Sequence, residues 1–274
     1  MKLRIEDELE DVIGKAMAGL KLSSAALAES SGLDVAEVEA LLAGRVDVGA
    51  IRAVAPQLGL AADALVALAQ QAWYPSAELP KWVALLNTPF PVPGYAEMTV
   101  NSYLCWSGTD ALAIDTGADA GPLLQLLARE GLQLKALILT HTHRDHIAAL
   151  DAVRHAYPDL PVYCPAGEAL PYTQPLEAGA EISCGGLKLT ARLTAGHSPA
   201  ALSYLVSGGS VPVAFVGDAL FCLSMGKAPD AYQQALTHTR EKLLSLPPAT
   251  LLCPGHGPVT TVGDELSRNP FFAN

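Results

Sequence analysis

Apolar residues recur at helical spacing from Glu6 to about Gln71: Leu9, Val12, Ile13 and Met17, then Leu22, Ala26 and Leu27, then Val35, Val38, Leu41 and Leu42. Gly19, Gly32, Gly44 and Gly59 read as breaks, and Ser23 and Asp34 stand where helix N-caps belong. The pattern predicts about five short helices. Two of them, 23–30 and 34–43, are joined by a tight turn at Ser31-Gly32-Leu33. Between 73 and 93 five prolines crowd the chain, a composition that blocks both helix and central strand. A boundary near 74–80 therefore divides an all-helical module, 1–74, from a second domain, 75–274. In that domain strand-like runs at 100–106, 111–114, 134–139, 161–164, 181–184, 187–194, 202–207, 211–216 and 250–253 alternate with helical stretches at 121–130, 147–157 and 230–246. The second domain is mixed α/β.

Charge and cysteine usage narrow the function classes. The formal net charge of −11 argues against a polyanionic partner, which would be held by accumulated Lys and Arg. The five cysteines are odd in number, widely spaced and form no CxxC, as expected of reduced, buried thiols in a cytoplasmic protein. The opening residues turn acidic before any apolar run, so no secretory signal is expected. No apolar segment reaches the ~18 residues a membrane span needs.

The candidate chemistry lies at the ends of the apolar runs. His141, His143, Asp145 and His146 follow directly on Ala136-Leu137-Ile138-Leu139, so a buried strand delivers three imidazoles and a carboxylate to one loop. Such donors suit zinc, iron or manganese. Gly196-His197, Gly217-Asp218 and Gly255-His256 repeat the arrangement: apolar run, glycine, ligand. A glycine there lets the backbone turn sharply. The two remaining histidines, His155 and His238, read as solvent-facing.

This order of motifs resembles the metallo-β-lactamase-fold hydrolases over residues 80–274: Asp115 in Ile-Asp-Thr-Gly, then His-Thr-His-Arg-Asp-His, Gly-His-Ser-Pro, Gly-Asp and Pro-Gly-His-Gly. The resemblance implies an αββα sandwich preceded here by the small all-α domain. It assigns His141, His143 and His197 to one divalent ion, Asp145, His146 and His256 to a second, and Asp218 to both. Zinc is the first choice, with iron and manganese as alternatives. Seven donors exceed one tetrahedral site and suit two ions, with a shared hydroxide as nucleophile. Asp145 and Asp218 would be the catalytic carboxylates, and Asp115 would fix the tautomer of a ligand imidazole.

Within the family, Gly217-Asp218-Ala219-Leu220-Phe221 and Ser224-Met225-Gly226-Lys227 resemble glyoxalase II, a hydrolase of acyl-glutathione thioesters. Lys227 would bind a carboxylate of a small-molecule substrate. A β-lactamase of the common zinc type would carry Cys at 218 and no histidine at 146, so β-lactam hydrolysis is not expected. The C-terminal helical domain that grips glutathione is absent from the resemblance, as is the tyrosine near the last histidine. A mononuclear iron persulfide dioxygenase, a lactonase and a nuclease of the same fold remain alternatives, the last disfavoured by charge.

The helix–turn–helix spacing of 23–43 resembles the small all-helical DNA-binding domain of the phage-repressor (XRE) type, over residues 8–70. Its recognition helix would offer Asp34, Glu37 and Glu39 where base readers belong, and residues 1–72 hold six basic against eleven acidic side chains. The expectation is a packing or homodimerisation module without DNA binding.

Overall fold

The computed structural model describes residues 2–273. α1 (Leu9–Leu20) opens with Glu8 and Asp11 capping each other reciprocally. α2 (Ser24–Ser31) is capped by Ser23, whose hydroxyl accepts from the Ala26 amide at 3.2 Å, and ends at Gly32 with φ +71°. α3 (Val35–Leu42) begins in a capping box between Asp34 and Glu37. α4 (Val48–Val54) and α5 (Ala62–Ala69) complete the five helices that periodicity predicts. One expected break is not a break. Gly19 lies inside α1, where an added Cβ would come within 2.2 Å of the Tyr232 ring, so it serves close approach of another element.

Two six-stranded sheets follow. The first runs β1 (Val83–Pro89), β2 (Thr99–Ser107), β3 (Asp110–Ile114), β4 (Gln133–Ile138), β5 (Val162–Pro165) and β6 (Gln174–Leu176), side by side in chain order. The second runs β7 (Glu181–Cys184), β8 (Leu187–Leu193), β9 (Leu202–Ser207), β10 (Val213–Gly217), β11 (Leu251–Pro254) and β12 (Thr260–Thr261), also in order. The proline-rich stretch thus contains a strand after all. β1 pairs only with β2, at the sheet edge, where a proline costs no ladder bond. The expected helix at 147–157 is two pieces, α7 (Arg144–Ile147) and α8 (Leu150–Ala156). The one at 230–246 is α9 (Tyr232–His238) followed by a π-helical turn at Thr239–Leu243.

Alternation along the strands builds three apolar layers. Between the sheets, Tyr103 and Cys105 of β2 and Ala136 and Ile138 of β4 face Tyr204, Phe215 and Cys253, with the Tyr103 and Phe215 rings 5.2 Å apart. On the outer face of the first sheet, α6 (Gly121–Glu130) and α8 bring Leu123, Leu126 and Val153 onto Leu104, Leu137 and Leu139. On the outer face of the second, Ala214, Val216 and Leu252 belong to one continuous cluster that also holds Val12 and Ile13 of α1 together with Leu220, Tyr232, Phe271 and Phe272. The helices of the first seventy residues therefore share a core with the sandwich. The Ala61 amide also donates to Pro270 O at 2.8 Å. All five cysteines are buried and none is paired. Among the described residues no helix is long and apolar enough to cross a membrane.

α10 (Val262–Arg268) carries a fully buried carboxylate, Glu265. Its oxygens accept from the Leu223 amide, Thr260 Oγ1 and Asn269 Nδ2. Burial outweighs these donors and pushes its pKa up from 4.5 to about 7. The fold thus favours the neutral acid: its stabilisation is complete below pH 4.5 and is lost as pH rises through about 7. Relative to Glu265→Gln, which stays neutral, the wild type should lose about 3 kcal/mol across that window. Denaturant melts of both proteins at pH 4.5 and 7.5 check this; parallel pH profiles would refute it.

Candidate metal centre

The seven histidine and aspartate positions that the strand-end motif singles out arrive from both sheets. β4 leads into Leu139 and Thr140 and then His141 and His143, and α7 presents Asp145 and His146 one turn later. β8 leads to His197, β10 to Asp218 and β11 to His256. Among the described residues, three groups of potential ligand atoms each fall within 4.8 Å of one another: His141, His143 and His197; His141, His146 and Asp218; Asp145, His146 and His256. His143 Nδ1 and His197 Nε2 face each other at 2.8 Å. Asp218 touches both ends of the set, with Oδ1 3.2 Å from His146 Nε2 and Oδ2 3.3 Å from His197 Nε2 and 3.6 Å from His256 Nε2. Asp145 Oδ2 stands 3.2 Å from His256 Nε2.

In four of the five imidazoles the other nitrogen is held from behind. His146 Nδ1 lies 2.8 Å from Asp115 Oδ2, His256 Nδ1 donates to Thr99 O at 2.7 Å, and His197 Nδ1 donates to Lys227 O at 3.0 Å. The Thr140 hydroxyl gives its proton to Asp115 Oδ2 and so accepts from His141 Nδ1 at 3.0 Å. These partners turn the Nε2 of each of the four inward, where its lone pair is the ligand once any proton there is displaced. The fit to a cation is direct. His141 Nε2, His146 Nε2 and Asp218 Oδ1 are buried polar atoms without a hydrogen-bond partner, and unsatisfied buried donors and acceptors are costly unless something binds them. Glycines make the close packing possible. A Cβ on Gly255 would lie 2.2 Å from Asp218 Oδ1, and one on Gly226 would lie 1.9 Å from Asp218 O.

Electrostatics sort the donors. Burial and then His146 hold His141 well below the ordinary imidazole range, so it is neutral and ready to ligate. Burial works to raise Asp218, but His256, His146 and His197 outweigh it and hold the carboxylate well below its usual value. Burial would lower His146 and His256, yet Asp218, with Asp115 beside the first and Asp145 beside the second, raises both, His256 to about 9. A cation binding at these two rings would displace protons.

Three residues differ from expectation or escaped it. His155 is exposed, as expected, but His238 is half-buried, its Nδ1 2.9 Å from Ala195 O. It follows Tyr232 and Ala235 on the buried face of α9, and so braces the strand end that carries His197. Glu168 was not foreseen. One oxygen accepts from the Thr142 amide at 2.9 Å and the other from Ser198 Oγ and the Ala200 amide, so it ties the His141–His143 loop to the His197 loop. The signal was available: β5, then Gly167, then a carboxylate, the same arrangement that marks the ligands. Asn101 likewise donates to Pro254 O and Gly257 O on either side of His256. Lys227 is exposed on the loop that follows Asp218.

Residues 96–256 match the family described as the metallo-beta-lactamase superfamily. The probable metallo-hydrolase YqgX of Bacillus subtilis (strain 168) is 34% identical over 196 residues, covering 63% of this chain and 92% of YqgX. The hydroxyacylglutathione hydrolase of Edwardsiella ictaluri (strain 93-146) is 31% identical over 146 residues, 53% of this chain but only 56% of that enzyme. Among solved structures, that of the BLEG-1 B3 metallo-beta-lactamase superposes with a TM-score of 0.57 at 30% identity, covering 69% of this chain and 100% of its own. Matching profile, a relative spanned almost end to end, and two facing sheets with a histidine–aspartate centre at their rim agree: this chain belongs to the metallo-beta-lactamase superfamily.

Proposed function

We propose that this protein is a dinuclear metallohydrolase that cleaves a small thioester or acyl ester, in the manner of glyoxalase II. The observation that carries the reading is the arrangement of the donors: two end groups of three, joined by a third group of His141, His146 and Asp218. His141, His143 and His197 would hold one ion, Asp145, His146 and His256 the other, and Asp218 both. When bound, a pair of divalent cations lowers the pKa of water towards neutrality and polarises an acyl carbonyl. The remaining work belongs to the chain. Asp115, Thr99 O, Lys227 O and Thr140 keep the imidazole tautomers fixed. The Asp145 and Asp218 carboxylates are the acceptors at hand for the proton that water gives up. Water is added across the acyl–sulfur bond, giving an acid and a thiol. The exposed Lys227 side chain would pair with a substrate carboxylate.

The likeness to hydroxyacylglutathione hydrolase supports an acyl-glutathione-like substrate, and zinc is the ion we favour over iron or manganese. Reduced buried thiols fit a cytoplasmic setting. The helices of 1–74 we take as a packing or homodimerisation domain and not as a DNA reader. Asp34, Val35 and Glu39 occupy the exposed side of α3 where arginine or glutamine would be needed. A second reading, β-lactam hydrolysis, is favoured by the BLEG-1 likeness alone.

Elemental analysis of protein expressed without added metal, followed by a panel of acyl-glutathione and other small thioesters, tests the proposal. Two divalent ions per chain and thioester turnover are expected. Fully loaded protein that hydrolyses no thioester would sink it, one iron with oxygen consumption on a persulfide would replace it with a dioxygenase, and turnover confined to β-lactams would establish the second reading.

A further inference from the structure

We propose that Lys15, on the helical module, is a positioning residue for the metal centre, acting through Met225–Lys227 on His197. Lys15 Nζ donates to Met225 O at 2.8 Å and pairs with the buried carboxylate of Asp7, which also accepts from Ser224 Oγ. The ammonium lies 4.8 Å from the centroid of the Phe221 ring, and that ring stands 5.5 Å from His256. From Met225 the chain passes through Gly226, which is pressed so closely on Asp218 O and His197 Nδ1 that no side chain fits. It then reaches Lys227, whose carbonyl accepts the His197 Nδ1 proton. Two peptide bonds thus separate the lysine's anchor from the atom that orients a ligand, and Gly226 between them is packed against Asp218 O and His197.

The catalytic domain secures the preceding residues itself. The Leu223 amide donates to Glu265 and Ser224 O accepts from Asn269. Met225 O is instead held from α1. The ion pair is not needed to attach the module, which already shares the apolar core of Leu220, Phe271 and Phe272. A buried ion pair adds little net stability after desolvation, whereas it fixes geometry well. Its value here is to set where Lys227 O sits, and through it the ring of His197.

This inference rests on the two-ion centre proposed above. The test is a zinc titration of metal-free, full-length protein against a chromophoric chelator, with His197→Ala identifying which binding step belongs to His141, His143 and His197. Lys15→Met should weaken that step about 10-fold, at the lower end of the effect of losing outer-layer support. Lys15→Arg should restore it, and the step belonging to Asp145, His146 and His256 should keep its wild-type affinity. If Lys15→Met does not fold, Ser224→Ala, which removes one donor to Asp7 and leaves the Lys15 anchor in place, should shift the same step about threefold, the lower end of what one net hydrogen bond contributes. Wild-type zinc affinity in the folded variants, with only a lower melting temperature, would reduce Lys15 to a fastener and overturn the inference. A wild-type chain that takes up no zinc would instead end the two-ion reading.

Discussion

Asp218→Ala should leave the protein with one tightly held ion in place of two, and lower turnover of whichever thioester the wild type cleaves by roughly three orders of magnitude. The reason is position. Asp218 approaches His146, His197 and His256 at 3.2, 3.3 and 3.6 Å, so its two oxygens address both halves of the donor set. It is also the anionic group common to both, since the His141, His143 and His197 half has no carboxylate of its own. Without it three imidazoles face one another with no negative charge between them, and cations there would repel across a short gap. Losing one of two Lewis-acid positions removes several kcal/mol of transition-state stabilisation, which at ~1.36 kcal/mol per decade gives the stated factor. Asp218→Asn keeps the volume and one oxygen and should lie between the two. Metal content measured beside kcat/KM decides the matter: Asp218→Ala with two ions and near-normal turnover would remove the carboxylate from the centre.

The clustered donors were legible because each follows one local rule, an apolar strand that runs out into a loop or short helix carrying the donor. That rule needs no knowledge of which strands pair. What it could not supply is anything set by contact between distant segments. Glu168 follows the same arrangement, yet its role exists only because the Thr142 and Ser198 loops converge on it from two sheets. Gly19 looks like a helix break in sequence and becomes a packing site only when Tyr232 lies across it. His238 sits on a helix whose exposed neighbours suggest solvent, while Ala195 O draws its ring inward. β1 was hidden by prolines because proline forbids a central strand and not an edge one, and edge or centre is decided by the whole sheet. The mixed α/β character of the second domain was legible from alternation and its αββα layering from the family resemblance; the merging of the first helices into its outer layer was not, since Val12 and Ile13 read the same whether they pack on their own module or on Leu220 and Phe271. Charge was informative in the negative sense, weighing against nucleic acid without indicating what α1 touches.

Asp115→Asn should cost the ion beside His146 between about 10- and 100-fold in affinity, with the fold intact. Asp115 has φ +56°, a left-handed conformation that Asp and Asn both tolerate, so the backbone is undisturbed. The carboxylate is buried and accepts three hydrogen bonds: the Thr140 amide on Oδ1 at 2.7 Å, and Thr140 Oγ1 and His146 Nδ1 on Oδ2, each at 2.8 Å. An amide cannot serve all three. With its oxygen on the Thr140 amide, the NH₂ group faces His146 and demands an acceptor at Nδ1, which moves the ring proton to Nε2 and blocks the lone pair that faces Asp218. With the amide reversed, His146 is served and a buried Thr140 N–H is left facing another donor, at about 1–3 kcal/mol. Either orientation penalises the centre through a residue that need not touch the metal. Asp115→Ala would add the loss of every acceptor and place a non-glycine residue without a side-chain acceptor in the left-handed region, so it should melt markedly lower than Asp115→Asn. Chelator competition on both variants, with melting curves alongside, separates the tautomer effect from general damage. Wild-type affinity for both ions in Asp115→Asn would show that His146 keeps its tautomer unaided.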